Sequence, residues 1–424
     1  MNFPRICLVR QNLVDRSLKD IPGAVAEELQ RAGLASRVKP GARIAIGAGS
    51  RGIANLAVIV KAVVDYWLAQ RCRPFIFPAM GSHGAATAEG QAAVLASYGV
   101  TEAAMGCPIV SSLEVVATGH TPEGIETCMD RQAYESDGVM LVGRVKWHTD
   151  FNGGIESGLV KMAAIGMGKL AGAQRYHSAS VRLGLERVCR SVFRQVSQTG
   201  KLLGGLAILE DARHSTARVA ALRIEELEER EAELLAQVKS WMAKIPVSPL
   251  DILIVDEMGK SISGTGMDTK VINRTIEGHF DVDPNLPSIR RIFVRDFTTH
   301  SDGNGTGIGM ADVISDRLLA KVNWPATYTN VLTAGNPAGS RTPIHFPTDR
   351  QCLEAISQTV GKMDPAEVRI GWIINTMQLG TFAFSENVLA EVKRNPALEV
   401  VSQPMDLPYD AGGNLLNLKD LLEG

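Results

Sequence analysis

Aromatic residues make up only 5% of this 424-residue chain, and its formal net charge at pH 7 is −2. With no basic cluster and no interleaved aromatics, nothing favours a nucleic acid or an anionic membrane surface as a partner. No apolar run approaches the roughly 20 residues of a membrane span. Residues 1–5, Met-Asn-Phe-Pro-Arg, carry no apolar signal core. The six cysteines, at 7, 72, 107, 128, 189 and 352, include no CxxC pair. That excludes a cysteine-held cluster and leads us to expect reduced, buried thiols in a cytoplasmic protein. The GxxxxGK[ST] phosphate loop is missing as well.

What is present is a globular composition, 45% hydrophobic and 21% charged, in a chain too long for one ordinary core. Short apolar runs bounded by turns recur at 6–9, 43–47, 74–77, 138–142, 202–209, 251–255, 291–294 and 369–374, with helix-like segments at 54–69 and 87–98. Buried strands alternating with helices predict two α/β domains with largely parallel sheets. Residues 217–243 read as one long amphipathic helix, with Val219, Leu222, Leu227, Leu234, Val238 and Trp241 as its apolar stripe, ended by Pro246 and Pro249. We place the domain boundary there, with 1–246 as the first domain, 247–424 as the second, and the long helix joining them. The active site is expected in the interdomain cleft.

Chemistry concentrates in one stretch. Of eight histidines, His83, His148 and His177 fall within fewer than a hundred residues, beside Lys161 on an apolar segment. Imidazoles move protons near neutral pH or bind metals, and a partly buried lysine can hold a cofactor covalently. His83 sits between glycines in Gly81-Ser82-His83-Gly84; its alternative role is to cap the helix from about Thr87. His148 precedes Asp150, a neighbour able to fix an imidazole tautomer. Residues 151–168 hold Gly153, Gly154, Gly158, Gly166 and Gly168 around Ser157 and Lys161. Exposed N–H groups there suit a phosphate, and close helix packing is the competing explanation.

Arg51 is a candidate clamp for a carboxylate. Lys260 to Arg274, which includes Asn273, follows a strand end as a polar, glycine-bearing loop, a plausible substrate contact. The glycines at 303, 305, 307 and 309 lack a ribose-binding acid, so they read as a turn or a substrate loop.

The order and spacing of these residues resemble the nickel-dependent lactate racemase family of 2-hydroxyacid racemases and epimerases. Arg51 in Ser50-Arg51 is similar to that family's substrate clamp, and His83 and His148 to its two catalytic histidines. Phe151-Asn152-Gly153-Gly154 through Lys161 is similar to its glycine-rich segment ending in the cofactor-bearing lysine. His177, sixteen positions further (177 − 161), stands where the family has its nickel ligand.

The resemblance spans roughly residues 40–180. It implies a nickel-pincer nucleotide tethered at Lys161, cradled by Gly153, Gly154 and Ser157, and ligated by His177. It also implies a small 2-hydroxy acid as substrate, cofactor-maturation proteins as partners, and substrate contacts from Arg51, Lys260, Asn273 and Arg274. The family's bulky pair after the second histidine is replaced by Thr149-Asp150, and its prolines after the clamp by Gly52-Ile53-Ala54. Lysines and arginine near the proposed substrate loop favour a sugar acid or dicarboxylate over lactate. Two other classes stay open on the residues alone: a zinc lyase or hydrolase with three histidine ligands, and a hydroxyacid-binding protein without chemistry.

Overall fold

A computed structural model describes residues 1–49, 52–149 and 151–423, apart from the side chain of Glu423. The chain divides into two compact units: Val14–Met242, and Met1–Leu13 with Ala243–Gly424. The first strand, β1 (Ile6–Gln11), thus belongs with the end of the chain. This corrects the expected first domain of 1–246. A strand's own residues say that it is buried and do not say which edge will accept it.

The unit Val14–Met242 is built on a sheet of β2 (Arg43–Ala48), β3 (Arg73–Pro78), β6 (Gly138–Arg144), β7 (Leu202–Glu210) and β8 (Thr216–Arg223). A separate hairpin joins β4 (Val115–His120) and β5 (Glu126–Asp130). The sheet order is β3-β2-β6-β7-β8, parallel throughout except for the antiparallel β7–β8 pair. Both faces are covered. Ala45, Phe75, Phe77, Val139 and Leu141 pack into one core with residues 159–165 and the helices Leu185–Ser197 and Leu227–Trp241. The alternate residues Ile44, Ile46, Ile76, Met140 and Val142 pack into the other, with the helices Ile21–Ala32 and Leu56–Ala69. Covering both faces is why these strands are continuous apolar runs.

From β2 the chain moves outward to β3, and it later returns to the other side of β2 as β6. Such a reversal parts the loops leaving the carboxyl ends of neighbouring strands and opens a crevice between them.

The expected helix over 217–243 is two elements. Val219 and Leu222 lie in β8, and the helix is Leu227–Trp241. Val219 to Leu222 are buried in succession because β8 is covered on both faces, and a short apolar run does not distinguish strand from helix.

The other unit carries an eight-stranded sheet. Its added strands are β9 (Leu250–Met258), β10 (Ile289–Phe297), β11 (Val313–Ser315), β12 (Ile344–Phe346), β13 (Ile370–Ile373), β14 (Thr381–Ser385) and β15 (Leu398–Val400). The order is β12-β11-β10-β9-β13-β14-β1-β15, parallel from β12 to β13 and antiparallel beyond. The eight apolar runs read from the sequence are all strands, and the α/β class with largely parallel sheets holds in both units. No described helix is long and apolar enough to cross a membrane.

Candidate functional site

Two loops at the carboxyl ends of parallel strands carry sequence candidates. Arg51 and Asp150 lie outside the described residues. The loop after β3 carries His83, and the loop after β6 carries His148.

His83 is extended (φ −67°, ψ 164°) and is followed by three residues with left-handed backbone, Gly84, Ala85 and Ala86. For the two alanines that conformation costs about 1–2 kcal/mol each, so the loop must be held by its surroundings. A Cβ on Gly84 would lie 2.4 Å from the carbonyl carbon of Gly90, so only glycine fits there. The cap of the helix Ala88–Ser97 is Thr87, whose side chain accepts from Gly90 N. His83 is therefore not the helix cap.

His148 is half-buried, with its ring centroid 4.5 Å from that of Phe151. Its backbone N–H donates to Glu156 (2.5 Å), whose other oxygen accepts from Gly153 N (3.1 Å) and Lys239 Nζ (2.5 Å). Lys146 and Ser157 exchange backbone hydrogen bonds below this turn.

The amides of the glycine-rich run are occupied by the chain's own carboxylates, which corrects the reading of a phosphate nest. Glu186 accepts from Gly154 N (3.1 Å) and Ile155 N (3.2 Å), and a Cβ on Gly153 would come within 2.3 Å of its other oxygen. Glu231 accepts from Leu159 N (2.5 Å) and Val160 N (3.1 Å) and is almost wholly buried. Burial pushes its pKa up to about 7, against the two amide hydrogen bonds that favour the ionised form. Sequence reasoning missed Glu231, yet it falls on the buried stripe of its helix with Leu227, Leu234, Leu235 and Val238.

Leu159–Lys161 begins a helix that passes through a π-helical turn, Met162–Gly166, before Lys169–Leu183. Such turns recur at functional sites. Close packing accounts for Gly166 here, since a Cβ would come within 2.6 Å of the Ala79 carbonyl oxygen. Lys161 and His177 lie on this segment, both half-buried. Burial first, and the Lys161 charge second, hold the His177 pKa below its ordinary value. The pair is therefore within electrostatic reach, and both burial and the lysine charge disfavour the protonated imidazole. Among the described residues no three His, Cys, Asp or Glu side chains gather as metal ligands. Three-histidine zinc chemistry thus lacks its cluster.

In the other unit, Lys260 Nζ donates to Asn330 Oδ1. Asn273 and Arg274 are internal braces rather than free contacts, which corrects their expected role. Asn273 is buried with left-handed backbone (φ 47°), and its side chain bonds the backbone of Asp283 at 3.0 and 2.9 Å. Arg274, 3% exposed, pairs with Asp312 (2.6 Å) and donates to the carbonyls of Met310 (2.8 Å) and Arg290 (3.2 Å).

Two α/β units, one with histidine-bearing loops at the crevice of its sheet, define the class. The particular fold is that of the lactate racemase apoprotein from Thermoanaerobacterium thermosaccharolyticum. That structure superposes with a TM-score of 0.50 at 13% identity, covering 87% of this chain and 94% of its own. A crystal structure of a protein from Thermotoga maritima is also similar (TM-score 0.48, 12% identity, 87% and 99% coverage). No protein-family model and no curated protein matches the chain. At this identity the relation is one of fold.

Proposed function

We propose that the chain is a racemase or epimerase that inverts C2 of a 2-hydroxy acid with a nickel-pincer nucleotide. One observation carries the reading: Lys161 and His177 lie half-buried on one helical segment that follows the glycine-rich run, on a chain of the lactate racemase fold. The donor set fits that group. A single borderline imidazole with no gathered ligands among the described residues suits a metal that brings most of its own donors. Lys161 supplies the amine for a tether, and His177 the protein ligand. When bound, the group supplies a reversible acceptor for the C2 hydride.

The chain's residues do the rest. The two enantiomers turn their hydroxyls to opposite sides, so two bases are needed. His83 takes or returns the hydroxyl proton on one side, and His148 does so on the other. Arg51 grips the carboxylate, which fixes the geometry at C2. Cofactor-maturation proteins are the partners this chemistry requires.

The deciding experiment measures nickel and intact mass in protein made in a host that produces the cofactor. Stoichiometric nickel with added mass on Lys161 supports the reading in full, and nickel without added mass supports it with a non-covalent group. Neither one, in a host that loads a known lactate racemase, removes it. Tight hydroxyacid binding without exchange at C2 would then identify a binding protein.

A further inference from the structure

Lys169 lies at the start of the helix that carries His177, eight residues after Lys161 and eight before His177. Its side chain is completely buried, and its backbone is left-handed (φ 54°), a conformation that favours glycine. Lys169 Nζ donates to the carbonyl of Pro78 (2.8 Å) and to Gln91 Oε1 (2.6 Å). Gln91, also completely buried, turns its Nε2 back onto the carbonyls of Met80 and Gly81, each at 3.0 Å. Among the described residues, Asp130 Oδ2, 3.8 Å from Nζ, is the carboxylate beside the ammonium.

The acceptors satisfied here are the carbonyls that leave β3 and run toward His83. Pro78 ends β3 and Met80 and Gly81 lie beyond it, and without donors these carbonyls would be buried unpaired groups. Gly81 packs in the same place, where a Cβ would sit 3.0 Å from Ile165 and 3.1 Å from Ala173. The segment that joins Lys161 to His177 is thus fastened to the root of the His83 loop, whose next turn is strained.

The geometry points to Lys169 and Gln91 as positioning residues that hold His83 in register with the Lys161–His177 segment. This inference rests on the racemase reading for its catalytic meaning, though not for its physical content. Lys169 touches neither substrate nor cofactor; its effect passes through Gln91 and the loop backbone.

The test uses Lys169→Met and Gln91→Leu in the full chain without cofactor. Hydrogen exchange is read by mass spectrometry, and the histidine rings by carbon-13 NMR. In both variants amides within 79–87 should exchange at least about tenfold faster, the value of one lost hydrogen bond. The His83 ring signal should shift while amides of β9 hold their rates. In loaded enzyme kcat should fall with KM near that of the wild type. Unchanged exchange at 79–87, an unmoved His83 signal, or exchange raised evenly across the whole unit would each overturn the proposal. Should Lys169→Met fail to fold, Gln91→Leu decides alone, since it leaves the bond from Lys169 to Pro78 in place. A chain without nickel or turnover that still shows the selective loosening loses the racemase reading and keeps this one.

Discussion

Replacing Glu231 by glutamine separates a structural carboxylate from a titrating one. Among the described residues, Glu231 is the side chain that accepts from Leu159 N and Val160 N, the amides that open the segment bearing Lys161. Removing the acceptor outright, as in Glu231→Leu, strands two buried N–H groups at about 1–3 kcal/mol each, roughly 2–6 kcal/mol in all. Glutamine keeps one oxygen for them and loses the ionisation.

In the wild type the carboxyl pKa rises from 4.5 to about 7 on folding. A raised acid contributes stability that is fully present below its unfolded pKa and is lost as pH climbs through the folded one. The window is therefore pH 4.5 to 7, and 2.5 units correspond to about 3 kcal/mol. Calorimetric unfolding of both proteins at matched pH from 5 to 8 cancels the groups they share. The wild-type advantage should be greatest at pH 5 and shrink by about 3 kcal/mol by pH 8. A difference that stays flat across that range would show that Glu231 ionises normally, and the burial argument would be wrong.

Four further outcomes are expected. His83→Ala and His148→Ala should each abolish racemisation while nickel content stays at the wild-type level; full turnover in either removes it from the acid/base role. Lys161→Met should raise the His177 pKa in an NMR titration of the unloaded protein, because a neighbouring positive charge is gone. Arg274→Met should destabilise its unit by roughly 2–6 kcal/mol in denaturant unfolding, because the carbonyls of Met310 and Arg290 lose their donor at about 1–3 kcal/mol each, whereas Asp312 keeps Ile292 N and Arg291. Burial holds the Lys169 pKa at about 8, below 10.5, so the wild type should gain stability over Lys169→Met as pH rises from 8 to 10.5. Parallel stability curves would contradict that last expectation.

The strands were legible because parallel strands buried on both faces leave uninterrupted apolar runs, as at Ile44–Ile46 and Val139–Val142. The candidate loops were legible because histidines between glycines stand out after such runs. Pairing across long separations was not legible, and so β1 was placed with the wrong unit. Nor were the braces. Glu231 hides in an acidic helix whose charges look solvated until the period of four and three residues from Leu227 is counted. Lys169 gave a signal that went unused: it is the only charged residue between Lys161 and Arg175, in a run of small and apolar residues. A polar loop after a strand has the same composition whether it meets a ligand or closes on itself, so Asn273 and Arg274 read from sequence as substrate contacts.

The pairing of β1 with β14 sets an order of events during synthesis. Ile6 lies opposite Ser385 and Val9 opposite Phe382, so β1 has no partner until more than 370 further residues have been made. At about 5–20 residues per second, that interval is roughly 20–70 s. Residues 14–242 form a continuous segment and can complete their own sheet within that time. Ile6, Cys7 and Val9, fully buried at the end, must meanwhile wait in the open. On the ribosome, β1 emerges well before either strand it will pair with.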